Sequence, residues 1–104
     1  MSIIGAFLNQ KVTIRPFERF GGGKIIYGEE QTRSCRCEFG FKTKVVYKNP
    51  AGSIVETVSG ALMFCEGEMI PVNSEAVCEG RVMRVIQCEP MRGLGPSHME
   101  VLLE

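Results

Sequence analysis

Five cysteines, one histidine, a triple glycine ahead of a lysine, and a short lysine run with aromatics are the residues of this chain that could do chemistry. Cys35 and Cys37 form a close C-x-C pair, while Cys65, Cys78 and Cys88 follow singly. Structural zinc takes four Cys or His ligands, often as two close pairs. With one pair and one histidine, His98, the pattern does not complete such a site. Cys35 and Cys37 instead alternate with Phe39 and Phe41 on one strand face, the composition of a core face. An odd cysteine count in a chain without a secretion signal also argues against a disulfide framework. The expectation is reduced, buried thiols, with no metal and no cofactor.

Nucleophilic catalysis needs a base within hydrogen-bond reach. His98 is the one histidine, aspartate is missing, and the glutamates are scattered through turns and strand ends. The chain is therefore expected not to be an enzyme. Gly21-Gly22-Gly23-Lys24 lacks both the P-loop spacing and the helix that should follow it, and reads as a hairpin loop. Lys42, Lys44 and Lys48, with Phe41 and Tyr47 between them, have the residue types that track a phosphate backbone and stack on bases. Lysines on the wet face of a hairpin, guarding an edge against aggregation, use the same residues.

The elements that must position these groups follow a period of two. Residues 11–17 place Val12 and Ile14 on one face and Lys11, Thr13 and Arg15 on the other. Residues 24–27 form a short strand after the glycines, residues 33–41 alternate cleanly, and residues 43–48 continue extended. Asn49-Pro50-Ala51-Gly52-Ser53 is a turn by composition. Residues 54–65 read as a strand with a bulge or bend at Gly60, and residues 69–72 and 76–78 as short strands. Glu79-Gly80 marks a tight hairpin into residues 81–88, and residues 98–103 close the chain after a loop over 90–96. No stretch carries a convincing helical period beyond one possible turn in residues 2–9. These signals predict an all-β fold: one small domain over residues 1–104, a barrel or sandwich of about six to eight antiparallel strands with a short N-terminal arm over 1–9.

The 104 residues suffice for one modest core. No apolar run is long enough to span a bilayer, and the opening SIIGAFL lacks the basic start and length of a signal peptide, so no membrane partner is expected. Net charge is zero, but its distribution is uneven. Residues 1–48 hold nine Lys or Arg against four Glu, and residues 49–104 hold three Arg against eight Glu. Such a split suits head-to-tail packing of identical subunits, and equally a single mixed solvated surface.

In order along the chain, LNQKVTIRPF, FGGGKIIYGEE, RSCRCEF, ALMFCEGEMIPVNSEAVCEGRVMRVIQCEP and GPSHMEVLLE resemble the strand pattern of the head-completion proteins of tailed bacteriophages: head–tail connector, stopper or minor capsid proteins. The resemblance covers nearly the whole chain. It implies a small β-barrel that assembles as a homo-oligomeric ring, about six or about twelve copies, below the portal. Its partners would be a portal or adaptor protein on one side and a tail terminator or other tail-side protein on the other. Its place would be the head–tail interface of the virion, and the host cytoplasm during assembly. In stoppers a long loop between strands reaches into the channel. By position the candidate is residues 42–59, a projecting loop or hairpin whose Lys42, Lys44, Tyr47, Lys48 and Asn49 would face the channel or packaged double-stranded DNA. Ile3, Ile4, Phe7 and Leu8 of the arm would be oligomer contacts that a neighbour covers. The other reading of the same lysines is a small OB-like nucleic-acid-binding barrel, which the chain's net neutrality disfavours.

Overall fold

Ten strands account for most of the chain in a computed structural model that describes residues 8–90 and 98–104. They are β1 (Gln10–Arg15), β2 (Phe17–Gly21), β3 (Lys24–Tyr27), β4 (Gln31–Phe39), β5 (Lys44–Lys48), β6 (Ile54–Val58), β7 (Ala61–Glu66), β8 (Glu75–Cys78), β9 (Arg81–Pro90) and β10 (His98–Leu103). Six of them close an antiparallel barrel in the order β1-β4-β7-β10-β9-β8, with β8 returning to β1. The other four form two separate hairpins, β2–β3 and β5–β6. The all-β expectation is met by a barrel.

Because successive side chains in a strand point to opposite faces, alternate residues fill the barrel. Val12 and Ile14, Cys35 and Cys37, Met63 and Cys65, Ala76 and Cys78, and Val101 and Leu103 all point inward and are buried. The tight turn between β8 and β9 sits at Glu79-Gly80, where both residues have positive φ (55° and 74°). That is the twist a two-residue hairpin loop needs.

Three local expectations are corrected. Phe41 is exposed, not part of the core face. The strand carrying Cys35 and Cys37 ends at Phe39, and Gly40 turns the chain with φ 84°, a conformation open to glycine. Residues 54–65 are two strands in two sheets, because the chain leaves one hairpin and enters the barrel at Ser59-Gly60. Ser59 is buried there; its hydroxyl donates to the Phe41 carbonyl (2.8 Å) and accepts from the Thr43 amide (3.1 Å). Residues 69–72 form no strand, whereas a further strand, β2, runs up to Gly21, where the sequence suggests only the start of a loop. The helical turn expected in residues 2–9 lies mostly outside the described residues.

Candidate functional site

The β5–β6 hairpin holds Lys44, Tyr47, Lys48 and Asn49, with Phe41 and Lys42 just before it, and its placement decides what they can do. Its strands pair in register, Val45 with Thr57 and Tyr47 with Val55, and a five-residue loop closes the tip. Asn49 builds that loop. Its amide donates to the Ser53 carbonyl (2.8 Å), its carbonyl accepts from the Gly52 amide (2.9 Å), and its side-chain oxygen accepts from the Ser53 amide (2.9 Å). Gly52 completes the turn at φ 91°. Asn49 is thus committed to the tip's own structure.

One face of the hairpin lies on the outer wall of the barrel. Val45 and Tyr47 pack with Leu62 of β7, Leu102 of β10 and Ile86 of β9, a second cluster separate from the barrel interior. Ile86 reaches this face because β9 bulges: Leu102 pairs with Gln87 but Leu103 with Val85, which leaves Ile86 as the extra residue. Two polar attachments hold the flap. The Tyr47 phenol donates to Glu104 (3.2 Å) and accepts from Arg84 (3.3 Å), while Arg84 and Glu104 are themselves 3.8 Å apart. Nearer the tip, the Asn73 side-chain amide donates to the Lys48 carbonyl (2.9 Å). Residues 44–58 therefore lie along the wall and do not stand off it as a free projection. Tyr47 is turned to the barrel and buried, so it does not face a channel or a nucleic acid. Apolar packing wins over solvent exposure at this position because burying an aromatic ring outweighs one phenol that finds partners anyway.

Lys42, Lys44 and Lys48 remain on the solvent side. So do three aliphatic side chains: Val46 is 64% exposed, Ile54 76% and Val58 51%. In register, Lys44 faces Val58, Val46 faces Glu56 and Lys48 faces Ile54, so charged and apolar residues alternate across the ribbon. Between the hairpin tip and the barrel lies an open cleft of about 540 Å³, walled by Phe17, Val46, Pro50, Val72 and Ile86 among others. Leu8, expected as an oligomer contact, is buried within its own chain. Ile3, Ile4 and Phe7 lie outside the described residues.

The cysteines occupy the barrel interior. Cys35 and Cys78 bring their sulfurs to 3.8 Å, and Cys35 pairs across the sheet with Cys65. Burial in apolar surroundings, reinforced by the neighbouring Cys78 thiol, pushes Cys37 up to about 12 and Cys35 higher still. Burial pushes Cys65 up to about 11, against the opposing pull of Arg33, and Cys88 also moves up. Thiols held protonated in this way are poor nucleophiles and poor metal ligands at neutral pH. Among the described residues no three His, Cys, Asp or Glu side chains are arranged to hold a metal ion.

The sequence reading did not find the hairpin's dock: Leu62, Ile86, Leu102, Arg84, Asn73 and Glu104. A signal for part of it was present. Ala61-Leu62-Met63 and Val101-Leu102-Leu103 are unbroken apolar runs, and a strand loses its alternation when both faces are covered. The closed six-stranded barrel also differs from the five-stranded, partly open OB barrel. The chain matches no protein-family model and has no match among curated proteins.

Proposed function

We propose that this chain is a structural subunit of the head–tail connector of a tailed bacteriophage, a barrel that assembles with copies of itself into a ring beneath the portal and joins the filled head to the tail. The observation that carries the reading is a hairpin whose inner face is packed on the barrel and whose outer face sets exposed aliphatic side chains among charged ones. One face is used by its own barrel through Val45 and Tyr47, and the other leaves Val46, Ile54 and Val58 bare. Three aliphatic side chains grouped on one exposed ribbon mark a contact surface, which a subunit covers on assembly. The sequence resemblance to head-completion proteins supplies the setting, and the all-β barrel is the fold that this resemblance calls for.

The charge split supports head-to-tail contacts between copies. Strands β1 and β4 lie side by side and carry four basic residues and one acidic; the remaining four strands of the barrel carry two basic and four acidic. The barrel thus has adjoining arcs of opposite sign. Heterologous interfaces of this kind close into rings when the rotation between copies permits. Lys42, Lys44 and Lys48 stay available to an anionic neighbour, protein or DNA, while Tyr47 does not.

Genetic removal tests the reading. A phage that encodes this chain and is deprived of it should fill its heads with DNA yet yield heads without tails, and heads that lose their DNA. Normal tailed, infectious particles lacking the chain would overturn it.

A further inference from the structure

We propose that the bare face of the β5–β6 hairpin is covered by the segment around Met69 of a second copy of this chain, in a heterologous contact set by charge. The inference rests on the assembly reading above and names the surfaces that would carry it.

Seven large apolar side chains are exposed among the described residues, and they are not spread evenly. Four belong to the hairpin and its base: Phe41, Val46, Ile54 and Val58. They share their surface with three lysines, Lys42, Lys44 and Lys48, and one acid, Glu56. The hairpin face is therefore apolar within a basic frame. Two copies of that face brought together would set lysines against lysines, so a two-fold self-contact is disfavoured and the complement must be a different patch.

The other exposed apolar residues are Phe20, Met69 and Val82. Phe20 has Arg19 and Glu18 beside it, and Val82 has Arg81 beside it and shares its surface with Arg84, Glu75 and Glu104, so around both the charges balance and neither sits in an acidic frame. Met69 does. It is 52% exposed in the turn between β7 and β8, with the exposed Glu66 and Glu68 just before it. The turn is a built feature: Arg33 lies beneath it and donates to the main-chain carbonyls of Glu66 and Glu68. The Arg33 charge offsets part of the two carboxylates and leaves the patch acidic by the balance of the three. A flexible thioether side chain adapts to the shape of an aliphatic surface such as Val46 and Ile54. The opposite frames, lysine around one patch and glutamate around the other, select this pairing over the like-charged one.

Sedimentation of the full-length protein tests the proposal through a charge exchange. Wild-type protein is expected to form a closed oligomer at low salt. Lys44→Glu with Lys48→Glu, and separately Glu66→Lys with Glu68→Lys, should each shift it to monomer while circular dichroism remains that of the folded barrel. The four substitutions combined should restore the oligomer, because each contact again joins opposite charges. Assembly that survives both double variants, or that the combined variant fails to restore, would overturn this interface and leave the ring reading intact. A wild-type chain that stays monomeric both alone and with the portal protein would overturn both. Ile54→Ala, which alters no charge, should weaken assembly without changing its salt dependence; an unchanged assembly would also count against the contact.

Discussion

Raising the pH from 8 to about 10.5 is expected to remove a large part of this protein's stability, through the cysteines inside the barrel. At pH 8 the thiols are protonated in both the folded and the unfolded chain. Above their ordinary value of 9.0 the unfolded thiols ionise, while burial keeps Cys65 protonated to about 11, Cys37 to about 12 and Cys35 beyond that. The unfolded state then binds fewer protons than the folded one, so stability falls as pH rises. Each thiol contributes about 1.4 kcal/mol per pH unit in this window. Cys35, Cys37 and Cys65 together give roughly 4 kcal/mol per unit, or about 6 kcal/mol by pH 10.5, against a typical total of about 5–15 kcal/mol. Urea midpoints followed by circular dichroism between pH 8 and 10.5 measure the slope. Alkaline solution acts on a protein in other ways too, so the informative comparison is with Cys37→Ala. That variant should be less stable at pH 8 but lose about 1.4 kcal/mol per pH unit less above pH 9. Equal slopes in the two proteins would show that Cys37 is not held protonated by the fold.

Replacing Tyr47 with alanine should detach the hairpin and leave the barrel standing. Truncating a buried aromatic costs about 3–5 kcal/mol. Here the loss falls on the small cluster of Val45, Tyr47, Leu62, Ile86 and Leu102, which does not share residues with the barrel interior. No backbone ladder ties β5–β6 to the barrel, so side chains carry most of the attachment. Hydrogen exchange should therefore show amide protection in β5 and β6 falling by about 10²–10³-fold, with β7 and β10 nearly unchanged. Tyr47→Phe keeps the ring and loses only the bonds to the charged Arg84 and Glu104, a cost of about 1.5–3 kcal/mol. Protection lost equally throughout the chain after Tyr47→Ala would contradict the picture of a separately held flap.

Much of the fold is legible in the sequence because the barrel obeys a local rule. Alternation marks Val12 and Ile14, and Cys35 and Cys37, without reference to anything distant. The Glu79-Gly80 turn is likewise readable from two residues. What fails is decided at long range. Phe41 continues the alternation of Cys35 through Phe39, yet the chain turns at Gly40 and carries it out of the core. Residues 54–65 look like one strand because the switch from hairpin to barrel takes only Ser59 and Gly60, stabilised by hydrogen bonds to Phe41, Thr43 and Leu103. Tyr47 looks available for stacking because lysines flank it. Its burial depends on Leu62 and Leu102, brought beneath it by strands that follow later in the chain. The bulge that turns Ile86 outward depends on the register between β9 and β10, which no local pattern contains.

The two faces of the hairpin have different standing in this account. The inner face packs on the barrel, while the outer face is the one that the proposed assembly would cover with a second molecule. Electron microscopy of the purified protein, alone and mixed with the portal protein of the same phage, tests that assembly most directly. A closed ring of about six or about twelve copies seated on the portal is the result the account predicts. A monomeric protein that does not associate with the portal at any concentration would contradict it.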